Sequence, residues 1–164
     1  SNDRKDGKWE GWFISGIKKY ECTYNKGNKS GLYQEWNLSG KNIKNITYKI
    51  GKRIKEYEFI KDGNRFMEIN KKNGFLDGRW VRWYATGLKE EEGDYSKGIR
   101  VGTWSRYDIN GQIIEESNYD NKGRNLYEIT YYKNGTVKEY KDYFSKTIQE
   151  YNLDGSKKGD FSPF

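Results

Sequence analysis

A unit of about 24 residues recurs along nearly the whole chain, and this self-similarity limits the fold to a stack of equivalent supersecondary elements. Gly16, Gly40, Gly63, Gly87, Gly111, Gly135 and Gly155 form one column of glycines. Gly27, Gly51, Gly74 and Gly98 form a second, and Gly7, Gly31, Gly78 and Gly102 a third. These columns take 15 of the 19 glycines, so spacing places them rather than abundance. Aromatic residues keep the same beat. Trp9, Tyr33, Tyr57, Trp80 and Trp104 follow the third column, Trp12, Trp36, Trp83, Tyr107 and Tyr131 come next, and Tyr24, Tyr48, Tyr95, Tyr119 and Tyr143 close the unit.

Turn chemistry and alternation make the unit a β-hairpin. Ser-Gly, Asp-Gly, Thr-Gly and Asn-Gly pairs recur at the first glycine column, where a tight turn needs a positive φ. Between glycines, Trp9, Gly11 and Phe13 share one strand face while Trp12 and Ile14 take the other, and Tyr20, Cys22 and Tyr24 share a face on the return strand. No stretch sustains helical spacing, and proline is absent before Pro163. The expected fold is all-β: an elongated antiparallel meander of some thirteen strands in a single repeat domain spanning 1–164. It has about six hairpin repeats from residue 7 and an atypical capping unit at 147–164. Phe161 and Phe164 are expected to fold over the open end. The third unit is one residue short and has Lys71 where the closing Tyr belongs, and the fifth carries an extra residue near Asp120 to Gly123.

Only 33% of the chain is hydrophobic and 17% is aromatic, so stacked rings must supply most of the buried surface. Cys22 is alone and is expected to pack as a small apolar residue. There is no histidine, which removes the commonest general base and metal ligand together. Glu90, Glu91, Glu92, Glu115 and Glu116 lie at equivalent phases near Arg79, Arg82, Arg100 and Arg106, a pattern that suits cross-strand ion pairs better than a catalytic carboxylate pair. The expectation is a protein that is not an enzyme and needs no cofactor or metal. Asn28, Asn37, Asn45 and Asn134 open Asn-x-Ser/Thr sequons and are read as turn chemistry.

The net charge of +7 is uneven, with +8 in residues 1–75 and −1 beyond. Lys41, Lys44, Lys49, Lys52, Arg53 and Lys55 occur with no acid between them and form the candidate binding patch for an anionic partner. The plainer reading is a solvated basic surface. Nucleic acid is disfavoured as a partner, because the charge does not continue past residue 75. The Trp9, Trp12, Trp36, Trp80, Trp83 and Trp104 rings form a candidate aromatic face, read first as packing between hairpins and second as a sugar-stacking platform. No apolar run approaches a membrane span, so the chain is read as not transmembrane.

The pattern of Gly31-Leu32-Tyr33-Gln34-Glu35-Trp36 with Gly40, Tyr48 and Gly51 resembles the bacterial variant of the MORN repeat. Gly78-Arg79-Trp80-Val81-Arg82-Trp83-Tyr84 with Gly87, Tyr95, Gly98 and Gly102 carries the same likeness, which covers residues 7 to 145. Similar units occur in proteins known as YwqK-family antitoxins and in bacterial surface proteins. The resemblance implies hairpin arrays used as interaction surfaces, and the chain is read as a monomeric, non-enzymatic scaffold that binds another protein through one face of the ribbon. Alternatives are a cell-envelope or glycan-binding module, with anionic lipid a further possible ligand, and an antitoxin that neutralises a toxin by direct binding. A secreted or cell-surface location is favoured over the cytoplasm. The opening Ser1-Asn2-Asp3, without methionine, is read as trimmed, so a removed leader is compatible with the sequence.

Overall fold

The computed structural model describes residues 4–59, 65–159 and 162–164. The Asp62-Gly63 turn and Phe161 lie outside the described residues. Among the described residues, fourteen strands follow one another in a single antiparallel sheet whose spatial order is the chain order, and the sheet does not close into a barrel. The first seven are β1 (Gly7–Trp12), β2 (Lys18–Asn25), β3 (Asn28–Trp36), β4 (Asn42–Lys49), β5 (Lys52–Phe59), β6 (Arg65–Lys72) and β7 (Phe75–Trp83). The remainder are β8 (Lys89–Ser96), β9 (Ile99–Tyr107), β10 (Ile113–Tyr119), β11 (Asn125–Tyr131), β12 (Val137–Asp142), β13 (Thr147–Glu150) and β14 (Ser162–Pro163). The accessible surface of 10538 Å² exceeds the roughly 8,500 Å² of a compact monomer of this size. One layer of sheet has no second layer to hide against.

The two long edges of the ribbon use different turns, and the glycine columns sort between them. On one edge, Lys26-Gly27, Ile50-Gly51, Asn73-Gly74 and Lys97-Gly98 each place two consecutive residues at positive φ, the signature of a two-residue type I′ turn. On the other, a three-residue loop ends in a left-handed glycine. Phe13 N donates to Ile17 O and Gly16 N to Phe13 O, and the same pair of bonds recurs from Asn37 to Lys41, Tyr84 to Leu88 and Asp108 to Gln112. Side-chain caps reinforce these loops, as where Asn37 Oδ1 accepts from Ser39 N and Lys41 N. Asn37 and Asn134 therefore do serve as turn residues, whereas Asn45 lies mid-strand opposite Gln34. The extra residue in the fifth unit replaces a type I′ turn with the longer loop, capped by Asp120 Oδ1.

Pairing assigns side chains to two faces. The first face carries a row running through Trp9 and Cys22, then Tyr33, Ile46, Glu56, Ile69, Trp80 and Gly93, then Trp104, Ser117 and Glu128. The second carries Glu10, Glu21, Gln34 and Asn45, and beyond β5, Glu68, Val81, Glu92, Ser105, Glu116, Ile129, Tyr140 and Gln149. Cys22 and Ile46 are buried in the first row, as their apolar character demands. The third unit departs from the sequence columns: residue 57 pairs with Asn45 and Glu68, and Glu56 stands in the aromatic row instead. The missing residue shifts that strand by one step, and with a side-chain period of two one step exchanges the faces.

Packing along the ribbon is ring against glycine. Gly93 and Gly11, outside all three columns, are where Trp104 and Tyr20 lie against the backbone, and a Cβ built at either would collide with the ring. Trp104 is 2% exposed, with its centroid 5.5 Å from Trp80 and 4.9 Å from Tyr95. Tyr20 and Tyr33 stack at 6.4 Å. At the far end, Phe164 meets Tyr143 edge-on at 5.4 Å, and Gln149 Nε2 donates to Gly159 O, closing the last unit over β12 and β13.

Candidate interaction surface

Cations lie beside several rings of the first face, as Lys18 does over Trp36 on the second. Lys5 Nζ lies 4.4 Å from the Trp9 centroid and 5.3 Å from Tyr24, and Lys29 repeats these distances to Tyr33 and Tyr48. Arg100 Cζ sits 3.8 Å above Trp104. Each cation precedes its ring by four residues, so Lys5, Lys29 and Arg100 form a column of about 24-residue period that was open to reading in the sequence. Trp104 Nε1 also donates to Asp94 O, which satisfies the polar end of the buried ring.

Where the third unit lacks a ring, charge fills the row. Glu56 is 3% exposed and accepts from Arg53 Nη1 at 3.2 Å, with Lys44 Nζ also at 3.2 Å. A carboxylate this buried needs such partners, and two half-exposed cations supply them. The carboxylate runs elsewhere are paired in the same way. Glu91 meets Arg82 and Arg100, Glu92 meets Arg79 and Lys89, and Glu115 meets Arg106. Burial works against the Glu92 charge, but hydrogen bonds from Lys89 and Tyr107 outweigh it and hold its carboxyl below the usual range. Burial followed by the bond to Glu116 pushes the Tyr131 hydroxyl well up, and the phenol donates to that carboxylate.

The six candidate patch residues do not converge. Lys44 and Arg53 are drawn onto Glu56 on the first face, Lys55 pairs with Glu68 at 2.9 Å on the second, and Lys41 lies at the opposite edge from Lys49 and Lys52. Lys49 and Lys52 are instead joined by Lys71 and Lys72 of β6, which the 41–55 segment does not contain. The tryptophans likewise form no single face. Trp9, Trp80 and Trp104 belong to the first, while strand alternation puts Trp12, Trp36 and Trp83 on the second. Trp12 is 55% exposed there, and Leu32, on the same face, is 48% exposed.

Among the described residues no helix is long and apolar enough to cross a membrane. No family model matches the chain, and no curated protein matches it. Among solved structures, it is similar to a mutant of TarM from S. aureus in complex with fondaparinux, alpha-GlcNAc-glycerol and UDP, at 14% identity and a TM-score of 0.41 over 58% of this chain. A further TarM crystal structure aligns at 15% identity and a TM-score of 0.40 over 60% of this chain. The alignments span 19% and 20% of those longer chains.

Proposed function

We propose that this chain is a non-enzymatic repeat scaffold that binds another protein through the second face of the ribbon. The observation behind this reading is that Trp12, on the second face, is the most exposed tryptophan of the ribbon, with Leu32 exposed on the same face. On the first face, the Trp104 ring is covered by Trp80, Tyr95 and Arg100, and Trp9 is 38% exposed beside Lys5. On the second, Trp12 and Leu32 are 55% and 48% exposed, and exposed apolar groups suit a protein partner. The carboxylates that would be needed for acid–base chemistry are engaged by Arg79, Arg82, Lys89, Arg100 and Arg106. The likeness to MORN-type repeats supports the same reading, with an antitoxin-like role as one form of it.

The test is capture from bacterial lysate and host extract, run beside a glycan array. The expected result is a protein retained by the wild-type chain and lost by the Trp12→Ala, Leu32→Arg double variant at unchanged secondary structure. Retention of glycans with no protein partner reverses the assignment.

A further inference from the structure

At the type I′ edge, β4, β5 and β6 enclose a recess of about 570 Å³ lined by Lys49, Ile50, Lys52, Ile54, Lys71 and Lys72. Its size falls within the range of ligand-binding pockets. Among the described residues, none of the four lysines has an ion-pair partner, in contrast to Lys44, Arg53 and Lys55 nearby. The lining brings four lysines to one edge with no carboxylate among its residues, a surplus of positive charge that an anion relieves. Lys71 enters because the third unit has lost its closing tyrosine. Similar recesses lie between the neighbouring type I′ turns, lined by Lys26 and Asn28 on one side and by Phe75, Asp77 and Lys97 on the other, and this one differs in carrying four lysines.

Ile50 adds a second, independent observation. It occupies the first position of the type I′ turn at φ 49°, where the equivalent turns have Lys26, Asn73 and Lys97. A β-branched residue is a poor choice for this left-handed conformation, and the turn itself gains nothing from it. Its side chain is also 76% exposed, so burial does not explain the choice. A strained, exposed isoleucine at the rim of a lysine-lined recess is a feature to be explained by contact with a ligand.

We infer that the recess binds an acidic peptide segment of a partner protein, one that sets an apolar side chain between carboxylates. Carboxylates meet the lysines, and the apolar side chain covers Ile50, Ile54 and the lysine stems. A polyphosphate chain has no apolar group to place against Ile50 and Ile54. The inference rests on the protein-binding reading above and assigns a partner chemistry to a second site on the same ribbon.

Fluorescence anisotropy with a labelled octapeptide of alternating glutamate and leucine tests it, using the whole chain. Saturable binding is expected, weakened about tenfold by Lys49→Glu with Lys71→Glu and absent when glutamine replaces glutamate in the peptide. Ile50→Asn is expected to weaken binding at least about threefold while raising the melting temperature, since asparagine suits the turn. A merely structural isoleucine would not separate these two readouts. Absence of saturable binding overturns the inference, as does equal binding by the charge-reversed chain or equal binding of the glutamine peptide. Binding of polyphosphate or of phosphatidylglycerol vesicles in place of the peptide overturns it in favour of a phosphate or membrane site. A protein captured equally by wild-type and charge-reversed chains contradicts this site alone and leaves the scaffold reading standing.

Discussion

The stretch from β7 to β10 and the stretch from β4 to β6 solve one packing problem with opposite chemistry. In the first, Trp80 and Trp104 meet over Gly93, Tyr95 closes on the ring edge, and Arg100 covers the outer surface. In the second, the same row holds Glu56, kept in place by Lys44 and Arg53. Ring burial gains from leaving water, whereas a buried carboxylate gains only what its partners return after desolvation. The aromatic stretch is therefore the stable part of the ribbon. The charged stretch is the part that tolerates irregularity, and it contains the lysine recess.

The sharpest way to break this contrast is to remove the ring. Trp104→Ala is expected to cost about 3 to 5 kcal/mol in urea unfolding, because it empties the most buried aromatic position and strips the contacts of Trp80, Tyr95 and Arg100. Gly93→Ala approaches the same site from the backbone side and is expected to cost about 1 to 3 kcal/mol by forcing Trp104 off the sheet. Gly11→Ala should cost less than Gly93→Ala, since Tyr20 near the sheet edge has room to swing away.

In the charged stretch, Glu56→Ala is expected to cost about 1 to 3 kcal/mol, less than loss of Trp104, because Lys44 and Arg53 are exposed enough to turn to water once their partner is gone. A Glu56→Ala loss larger than that of Trp104→Ala in the same assay would invert the ranking of the two regions.

The smallest effect is an acid dependence that arises outside both regions. Hydrogen bonds from Lys18 and then Lys8 lower the Glu10 carboxyl to about 2 from an ordinary 4.5, and backbone donation from Arg124 lowers Asp120 to about 2 from 3.8. Both carboxyls bind protons more readily in the unfolded chain, so their contribution is present above about pH 4.5 and is lost as pH falls toward 2. Melting temperatures measured from pH 6 down to pH 2.5 should fall through that window. Lys18→Met should flatten the fall, since the exposed pair loses its first donor. An acid profile unchanged by that variant would remove Glu10 from its cause.

Much of the fold was legible because turn chemistry is local. Ser15-Gly16, Thr86-Gly87 and Asn110-Gly111 announce their loops, and alternation from Lys18 to Asn25 recovers β2 to the residue. Cross-strand register was not legible in the third unit, since one missing residue moves Glu56 into the row that spacing assigns to Tyr57. The roles of Gly11 and Gly93 were hidden for a related reason: they depend on which ring a neighbouring strand brings over them. The basic segment was visible as composition, but its grouping was not. Lys44, Arg53 and Lys55 are taken up by Glu56 and Glu68, and Lys71 and Lys72 arrive from a strand some 20 residues away.

A ribbon one layer thick is the claim on which the packing contrast and both proposed surfaces depend, and small-angle scattering of the whole chain tests it most directly. Fourteen strands at about 4.8 Å spacing extend roughly 60 Å, which corresponds to a radius of gyration of about 20 Å. A value near 15 Å, that of a compact domain of 164 residues, would contradict it.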